Sequence, residues 1–104
     1  MANHLFICSK NQWRSPTAEL LFKNHALHQA RSAGTGDKAR IRVTQKMIDW
    51  ADEIFVMEYK HRDLLKQKFD LGSKSPTVLN IPDEYHFNDP ELVAILKTAL
   101  SAYL

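Results

Sequence analysis

The sequence lacks several features that define common protein classes. A single cysteine among 104 residues excludes an internal disulfide framework and a zinc site built from several thiolates. The net charge of +2, from 14 basic and 12 acidic residues, is too small to indicate a dedicated nucleic-acid binder. No apolar run approaches the roughly 20 residues that span a bilayer, and the N-terminus has no signal-peptide pattern. These absences predict a cytoplasmic protein whose one cysteine either packs in the core or reacts.

The composition and length are those of an ordinary globular domain. Hydrophobic residues make up 44% of the chain and charged residues 25%, which excludes a disordered tail, a collagen-like repeat and a coiled coil. We therefore expect residues 1–104 to form a single domain.

Short apolar runs alternate with helical periods along the chain. Strands are expected at 5–8, around 31–33, at 53–57 and at 77–81. Helices are expected from Ser15-Pro16 with Ser15 as the N-cap, over 43–51, around Leu64 to Phe69, and from Asp89-Pro90. Apolar strands separated by helices predict an α/β fold, a three-layer α/β/α arrangement with a four-stranded parallel sheet.

Ligands of such sheets bind beyond the carboxyl ends of the strands. Cys8 stands at the carboxyl end of the first predicted strand, and the segment after Ile81 follows the last one. The fold therefore gives these two segments a place to meet.

The segment from Cys8 to Pro16 has a spacing that suits anion chemistry. Five residues separate Cys8 from Arg14, enough for a loop whose N–H groups form a nest for a tetrahedral oxyanion. The helix that follows adds the positive end of its dipole, and Arg14 offers a bidentate fork to phosphate. The same field stabilises a thiolate on Cys8, while Ser15 is placed to hydrogen-bond the sulfur. The alternative is a core cysteine beside a solvated arginine, but Arg-Ser at this spacing follows fewer than about one cysteine in a hundred.

Residues 8–22, with the sequence CSKNQWRSPTAELLF, resemble the signature of the low-molecular-weight protein tyrosine phosphatases. That signature is Cys-x5-Arg-Ser/Thr followed by Pro-x-Ala-Glu. Residues 32–35 resemble the SAGT turn of the family, and residues 81–85 lie where the family has an Asp-Pro-Tyr acid loop. The resemblance implies the phosphotyrosine phosphatase I-like fold, a left-handed Asn11 and a Ser32 hydroxyl that holds Asn11.

The resemblance also implies a mechanism and its residues. Cys8 attacks phosphorus and forms a phosphocysteine, Arg14 holds the phosphoryl oxygens, and Asp83 protonates the leaving oxygen. Trp13 and Tyr85 line the substrate cleft, and neither a metal nor a cofactor takes part. The phosphate is bound by consecutive residues of the loop: Ser9, Lys10, Asn11, Gln12, Trp13, Arg14 and Ser15. The implied substrate is a phosphorylated protein or a small phosphomonoester. We expect no binding to nucleic acid or membranes, and we expect the protein to be a monomer or a weak homodimer.

The departures of the chain from the family pattern include Gln12, Trp13, a shortened central region and the acid loop, and the last two bear most on function. The chain is shorter than a typical member between Gly36 and Thr44, where residues 37–42 are either a solvated connector or a basic patch for a polyanionic substrate. Glu84 replaces the proline of the acid loop, so Glu84 and Asp89 compete with Asp83 for the role of general acid.

Two other functions remain open from the sequence. A phosphate-binding module on the same fold, with negligible turnover, is consistent with the altered acid loop. A nucleic-acid binder acting through residues 38–46 is consistent with the basic residues there, although interleaved aromatic residues are absent.

Overall fold

The computed structural model describes residues 2–104. Strands and helices alternate along the chain as the sequence predicts. The strands are β1 (Ala2–Cys8), β2 (His28–Gly34), β3 (Glu53–Val56) and β4 (Thr77–Val78). The helices are α1 (Arg14–Leu21), α2 (Gln45–Trp50), α3 (Tyr59–Lys68) and α4 (Pro90–Ala99).

The four strands form one parallel sheet in the order β2-β1-β3-β4. Side chains of β1 alternate between its two faces. Phe6 and Cys8 join the buried cluster that contains residues of α1 and α4, while Leu5 and Ile7 join the cluster that contains residues of α2 and α3. The sheet is therefore covered on both faces, which confirms the three-layer α/β/α prediction.

Several element boundaries differ from the sequence prediction. β2 is longer than expected because all seven of its residues pair with β1, including polar ones that face solvent at this edge of the sheet. β4 is shorter than expected. Asn80 has a φ of 57°, which interrupts the extended backbone between Leu79 and Ile81.

The helix starts show one wrong prediction and one confirmed one. Ser15 lies inside the first turn of α1, and the N-cap is Trp13, whose side chain makes no capping hydrogen bond. Ser15 is therefore free to turn its hydroxyl toward the loop. Asp89 caps α4 as predicted, because its carboxylate accepts the N–H of Glu91 at 2.9 Å.

The carboxyl edge of the sheet brings the predicted segments together. The chain leaves β1 at Cys8 and β3 near Met57, and the N–H of Ile81 donates to the Met57 carbonyl at 2.8 Å. The loop after β1 and the segment after β4 thus lie on the same side of the sheet. No helix within residues 2–104 is long and apolar enough to cross a membrane.

Candidate active site

The loop between β1 and α1 curls around the sulfur of Cys8. The Asn11 N–H donates to Sγ at 3.2 Å, and the Ser15 hydroxyl oxygen lies 3.0 Å from Sγ. The Asn11 side-chain amide donates to the same hydroxyl oxygen at 2.8 Å, so the hydroxyl proton of Ser15 is left for the sulfur or for the Ala33 carbonyl oxygen, 3.4 Å away. Cys8 is almost fully buried in the core cluster and also lines a small pocket at the sheet edge.

Asn11 shapes the loop through its backbone. Its φ of 55° lies in the left-handed region, as the resemblance implies, and its side chain is buried. The expected contact with Ser32 is not present, because the Ser32 hydroxyl donates instead to the Glu19 carboxylate at 2.5 Å. The loop is therefore braced by Ser15 from inside rather than by Ser32 from β2.

The segment after β2 fastens the outside of the loop. Three consecutive loop carbonyls each accept a backbone N–H at 2.9 Å: Cys8 from Thr35, Ser9 from Gly36 and Lys10 from Arg40. The Arg40 guanidinium adds a hydrogen bond from Nε to the Asn11 carbonyl at 2.9 Å. The short link at 37–42 therefore has a structural role that neither sequence interpretation included, since it holds the loop in its curled conformation.

Arg14 has a buried side chain, with 2% of its surface exposed. The alternative interpretation of the sequence, in which Arg14 is a solvated surface charge, is therefore wrong. Nη1 of Arg14 donates to the Glu58 carboxylate at 2.6 Å and to the Ile81 carbonyl at 2.8 Å. These two bonds use both hydrogens of Nη1. The other edge of the guanidinium, Nε with Nη2, lies toward Asp83, whose carboxylate is 3.7 Å from Nε. That edge is the one able to hold an oxyanion in a bidentate fork.

Glu58 is a site residue that the sequence analysis missed. Partial burial acts to raise the pKa of its carboxyl group, but the hydrogen bond and charge of Arg14 outweigh burial and lower that pKa. Glu58 is therefore an anion that orients Arg14. Its position two residues after β3, at the carboxyl edge of the sheet, is the sequence signal that could have identified it.

His61 is a second missed residue. Its Nε2 lies 2.8 Å from the hydroxyl oxygen of Ser9, and its Nδ1 accepts the backbone N–H of Glu58 at 3.1 Å. Burial lowers the pKa of His61 from 6.5 to about 4, with the positive charge of Arg14 acting in the same direction. A lone histidine on a polar helix face gave no sequence signal for this contact.

One small pocket collects most of the predicted site residues. Its lining is Cys8, Ser9, Lys10, Gln12, Trp13, Arg14 and Asp83. Of the three candidate acids, Asp83 lines this pocket. Glu84 is exposed outside the lining, and Asp89 is engaged as the N-cap of α4.

The two predicted cleft residues lie in different places. Trp13 lines the pocket, and its ring contacts that of His86 with centroids 4.7 Å apart. Tyr85 packs against the buried cluster between the sheet and α4 and is not part of the pocket lining. His86, rather than Tyr85, is thus the neighbour of Trp13 at this rim. A larger groove along α1 includes Leu20 and Phe87 but neither Cys8 nor Arg14.

Comparison with protein families shows which family the chain belongs to. Residues 3–71 match the model of the family described as low molecular weight phosphotyrosine protein phosphatase. The chain belongs to this family. The matched region contains Cys8, Arg14, Glu58 and His61, whereas Asp83 lies beyond it. No curated protein matches the chain.

Solved structures of the family share the fold. Wzb of Vibrio vulnificus, in complex with benzylphosphonate, is 20% identical with a TM-score of 0.77, and the match covers 98% of this chain and 96% of that one. A low molecular weight protein tyrosine phosphatase of Streptococcus pyogenes is 19% identical with a TM-score of 0.76, covering 100% and 94%. The YwlE arginine phosphatase of Geobacillus stearothermophilus is 19% identical with a TM-score of 0.66, covering 97% and 87%. These likenesses confirm the fold expected from the sequence, and the family supports a phosphatase.

Proposed function

We propose that the protein hydrolyses phosphomonoesters through a phosphocysteine formed on Cys8. The observation that supports this best is that Cys8, Arg14 and Asp83, which carry a thiol, a guanidinium and a carboxyl group, line one pocket. These are a nucleophile, an oxyanion binder and a proton donor, the three groups that transfer of a phosphoryl group to a thiolate requires.

In the first step the Cys8 thiolate attacks phosphorus in line with the ester oxygen. The S–P bond forms as the P–O bond breaks, and Asp83 gives its proton to the leaving oxygen. The free edge of Arg14 and the N–H groups of the loop bind the equatorial phosphoryl oxygens. Because these groups supply positive charge where it is needed, the proposal involves no metal ion.

In the second step a water molecule attacks the phosphocysteine. Asp83, now ionised, takes a proton from that water, and the S–P bond breaks to release phosphate and the thiolate. Ser15 and the Asn11 N–H, which lie 3.0 and 3.2 Å from the sulfur, stabilise the thiolate as it leaves. A relative supports such an intermediate: a YwlE structure, 21% identical with a TM-score of 0.69, is that of a cysteine-to-serine mutant with a phosphorylated active-site serine.

For the substrate we propose a phosphorylated protein or a small phosphomonoester, with an aromatic ester packed against Trp13. Three residues of the pocket lining, Lys10, Gln12 and Asp83, are exposed, which suits a phosphate presented on a protein surface. The reaction needs a reduced thiol, which fits the expected cytoplasmic location. The expectation of a monomer or weak homodimer stays a prediction.

The test is release of p-nitrophenol from p-nitrophenyl phosphate, with a chelator present, by the wild type, Cys8→Ser and the exposed control Ser73→Ala. We expect turnover by the wild type and the control, no turnover by Cys8→Ser, and phosphate binding by all three. Full activity in Cys8→Ser would overturn the proposal. A reduced wild type that binds phosphate without turnover would instead favour the phosphate-binding module.

A further inference from the structure

Ser9 and His61 make a contact at the pocket that the mechanism above does not use. The two residues are 52 positions apart, yet the Ser9 hydroxyl oxygen and Nε2 of His61 lie 2.8 Å from each other. Ser9 lines the pocket, whereas His61 is fully buried in the first turn of α3. A buried imidazole thus holds the hydroxyl group of a residue that lines the pocket.

The hydrogen-bond partners determine where the protons lie. The backbone N–H of Glu58 donates to Nδ1 of His61, so Nδ1 carries no proton. A neutral imidazole then has its proton on Nε2 and donates it to the Ser9 oxygen. The Ser9 hydroxyl proton consequently has to be donated elsewhere, and within residues 2–104 no second partner takes it.

The surroundings keep this imidazole neutral. Burial lowers the pKa of His61 to about 4, and the charges of Arg14 and Lys60 lower it as well, against Glu58 and Asp83, which raise it. Arg14 belongs to α1 and Lys60 to α3, Glu58 is the N-cap of α3, and Asp83 follows β4. The direction of the Ser9 hydrogen bond is therefore the same from about pH 5 upward.

We propose that His61 is a positioning residue that fixes the Ser9 hydroxyl as a neutral hydrogen-bond donor to a phosphoryl oxygen. The inference rests on the proposed function and deepens it. Ser9 adds a donor beside Arg14 and the loop N–H groups. Because the hydroxyl is already oriented before a ligand arrives, donating to the phosphate needs no reorganisation.

The variants separate the parts of this contact. Ser9→Ala removes the hydroxyl. His61→Asn keeps an oxygen near the Glu58 N–H but is too short to reach Ser9, whereas His61→Gln extends an amide N–H toward Ser9. Ser73→Ala, at an exposed position, is the control. Thermal unfolding of each variant reports whether the fold is intact.

The measurements are kcat/KM for p-nitrophenyl phosphate and calorimetric binding of inorganic phosphate. We expect Ser9→Ala to lower both by about tenfold, the value of one hydrogen bond to a charged ligand. We expect His61→Asn to cause a similar loss, His61→Gln to restore much of it, and Ser9→Ala with His61→Asn to lose no more than Ser9→Ala alone.

Additive losses in the double variant would overturn the proposal, since His61 would then act independently of Ser9. Unchanged phosphate binding in Ser9→Ala would also overturn it while leaving the phosphatase proposal intact. Nitrogen NMR of the wild-type protein shows which nitrogen of the His61 imidazole carries the proton and does not depend on turnover. A proton on Nδ1 at pH 7 would overturn the proposal. A wild type with neither turnover nor phosphate binding would overturn the phosphatase proposal and this one with it.

Discussion

Nη1 of Arg14 lies 2.6 Å from the carboxylate of Glu58, and this pair joins the first residue of α1 to the N-cap of α3. The contact does more than neutralise a buried charge. Together with the Ile81 carbonyl it occupies one nitrogen of the guanidinium and thereby turns the other edge toward the pocket. Arg14 is thus oriented before any anion binds.

Glu58→Gln tests this orientation. The amide keeps a hydrogen-bond acceptor but loses the charge, so we expect kcat/KM to fall about 10- to 100-fold, the value of a hydrogen bond to a charged group. Steady-state kinetics with p-nitrophenyl phosphate measures the change, and Glu91→Gln, on exposed α4 surface, is the matched control. Wild-type kcat/KM in Glu58→Gln would show that Arg14 needs no anion to hold it.

Asp83→Asn tests the assignment of the general acid. We expect kcat for a phosphotyrosine peptide to fall about 10²- to 10⁴-fold, and by less for p-nitrophenyl phosphate, whose phenol is more acidic and leaves with less help. Glu84→Gln and Asp89→Asn are the controls, because Glu84 lies outside the pocket lining and Asn retains the cap of α4. A larger loss in Glu84→Gln than in Asp83→Asn would move the acid role to Glu84.

Gly34→Ala tests how tightly β2 packs against the loop. A Cβ at Gly34 would lie 2.6 Å from both the Ser9 carbonyl oxygen and the Ala39 Cβ, so the loop has to move. A Cβ at Gly36 would lie 3.1 Å from the same oxygen, which a small shift relieves. We expect phosphate affinity and kcat/KM to fall strongly in Gly34→Ala and weakly in Gly36→Ala. The reverse order would contradict the close packing of Gly34 against the loop.

His61 makes stability depend on pH. Burial lowers its pKa in the folded state from 6.5 to about 4, so the unfolded chain binds the proton more readily and stability falls as pH drops through this window. We expect the free energy of unfolding to be about 2 kcal/mol lower at pH 5 than at pH 7 from this residue. Urea unfolding at both pH values measures the difference.

His61→Asn is the matched variant for that measurement. We expect this variant to be less stable than the wild type at pH 7. We also expect the difference in its free energy of unfolding between pH 5 and pH 7 to be smaller by about 2 kcal/mol. His4, whose pKa is also lowered by burial, contributes a dependence of the same sign that remains in the variant. An unchanged pH difference in His61→Asn would show that the buried imidazole is not the titrating group.

The order of strands and helices was predictable because hydrophobic periodicity is a local property of the chain. The same holds for the Cys8–Arg14 loop and for the Asp89 cap, whose parts lie within a few residues of each other. The start of α1 was predicted two residues late with the wrong cap, because Ser15 exchanges a capping role for a contact with the sulfur 3.0 Å away. The length of β4 was overestimated because the turn at Asn80 has no apolar signature.

The sequence by itself determined the fold class and the loop that joins Cys8 to Arg14, because these depend on hydrophobic periodicity and on spacing along one strand, loop and helix. Only the tertiary structure decided which distant groups complete the site. Glu58 is 44 residues from Arg14, His61 is 52 from Ser9, and Arg40 is 29 from Asn11. Contacts over such separations arise where parallel strands end at one sheet edge, and no local pattern of residues encodes them.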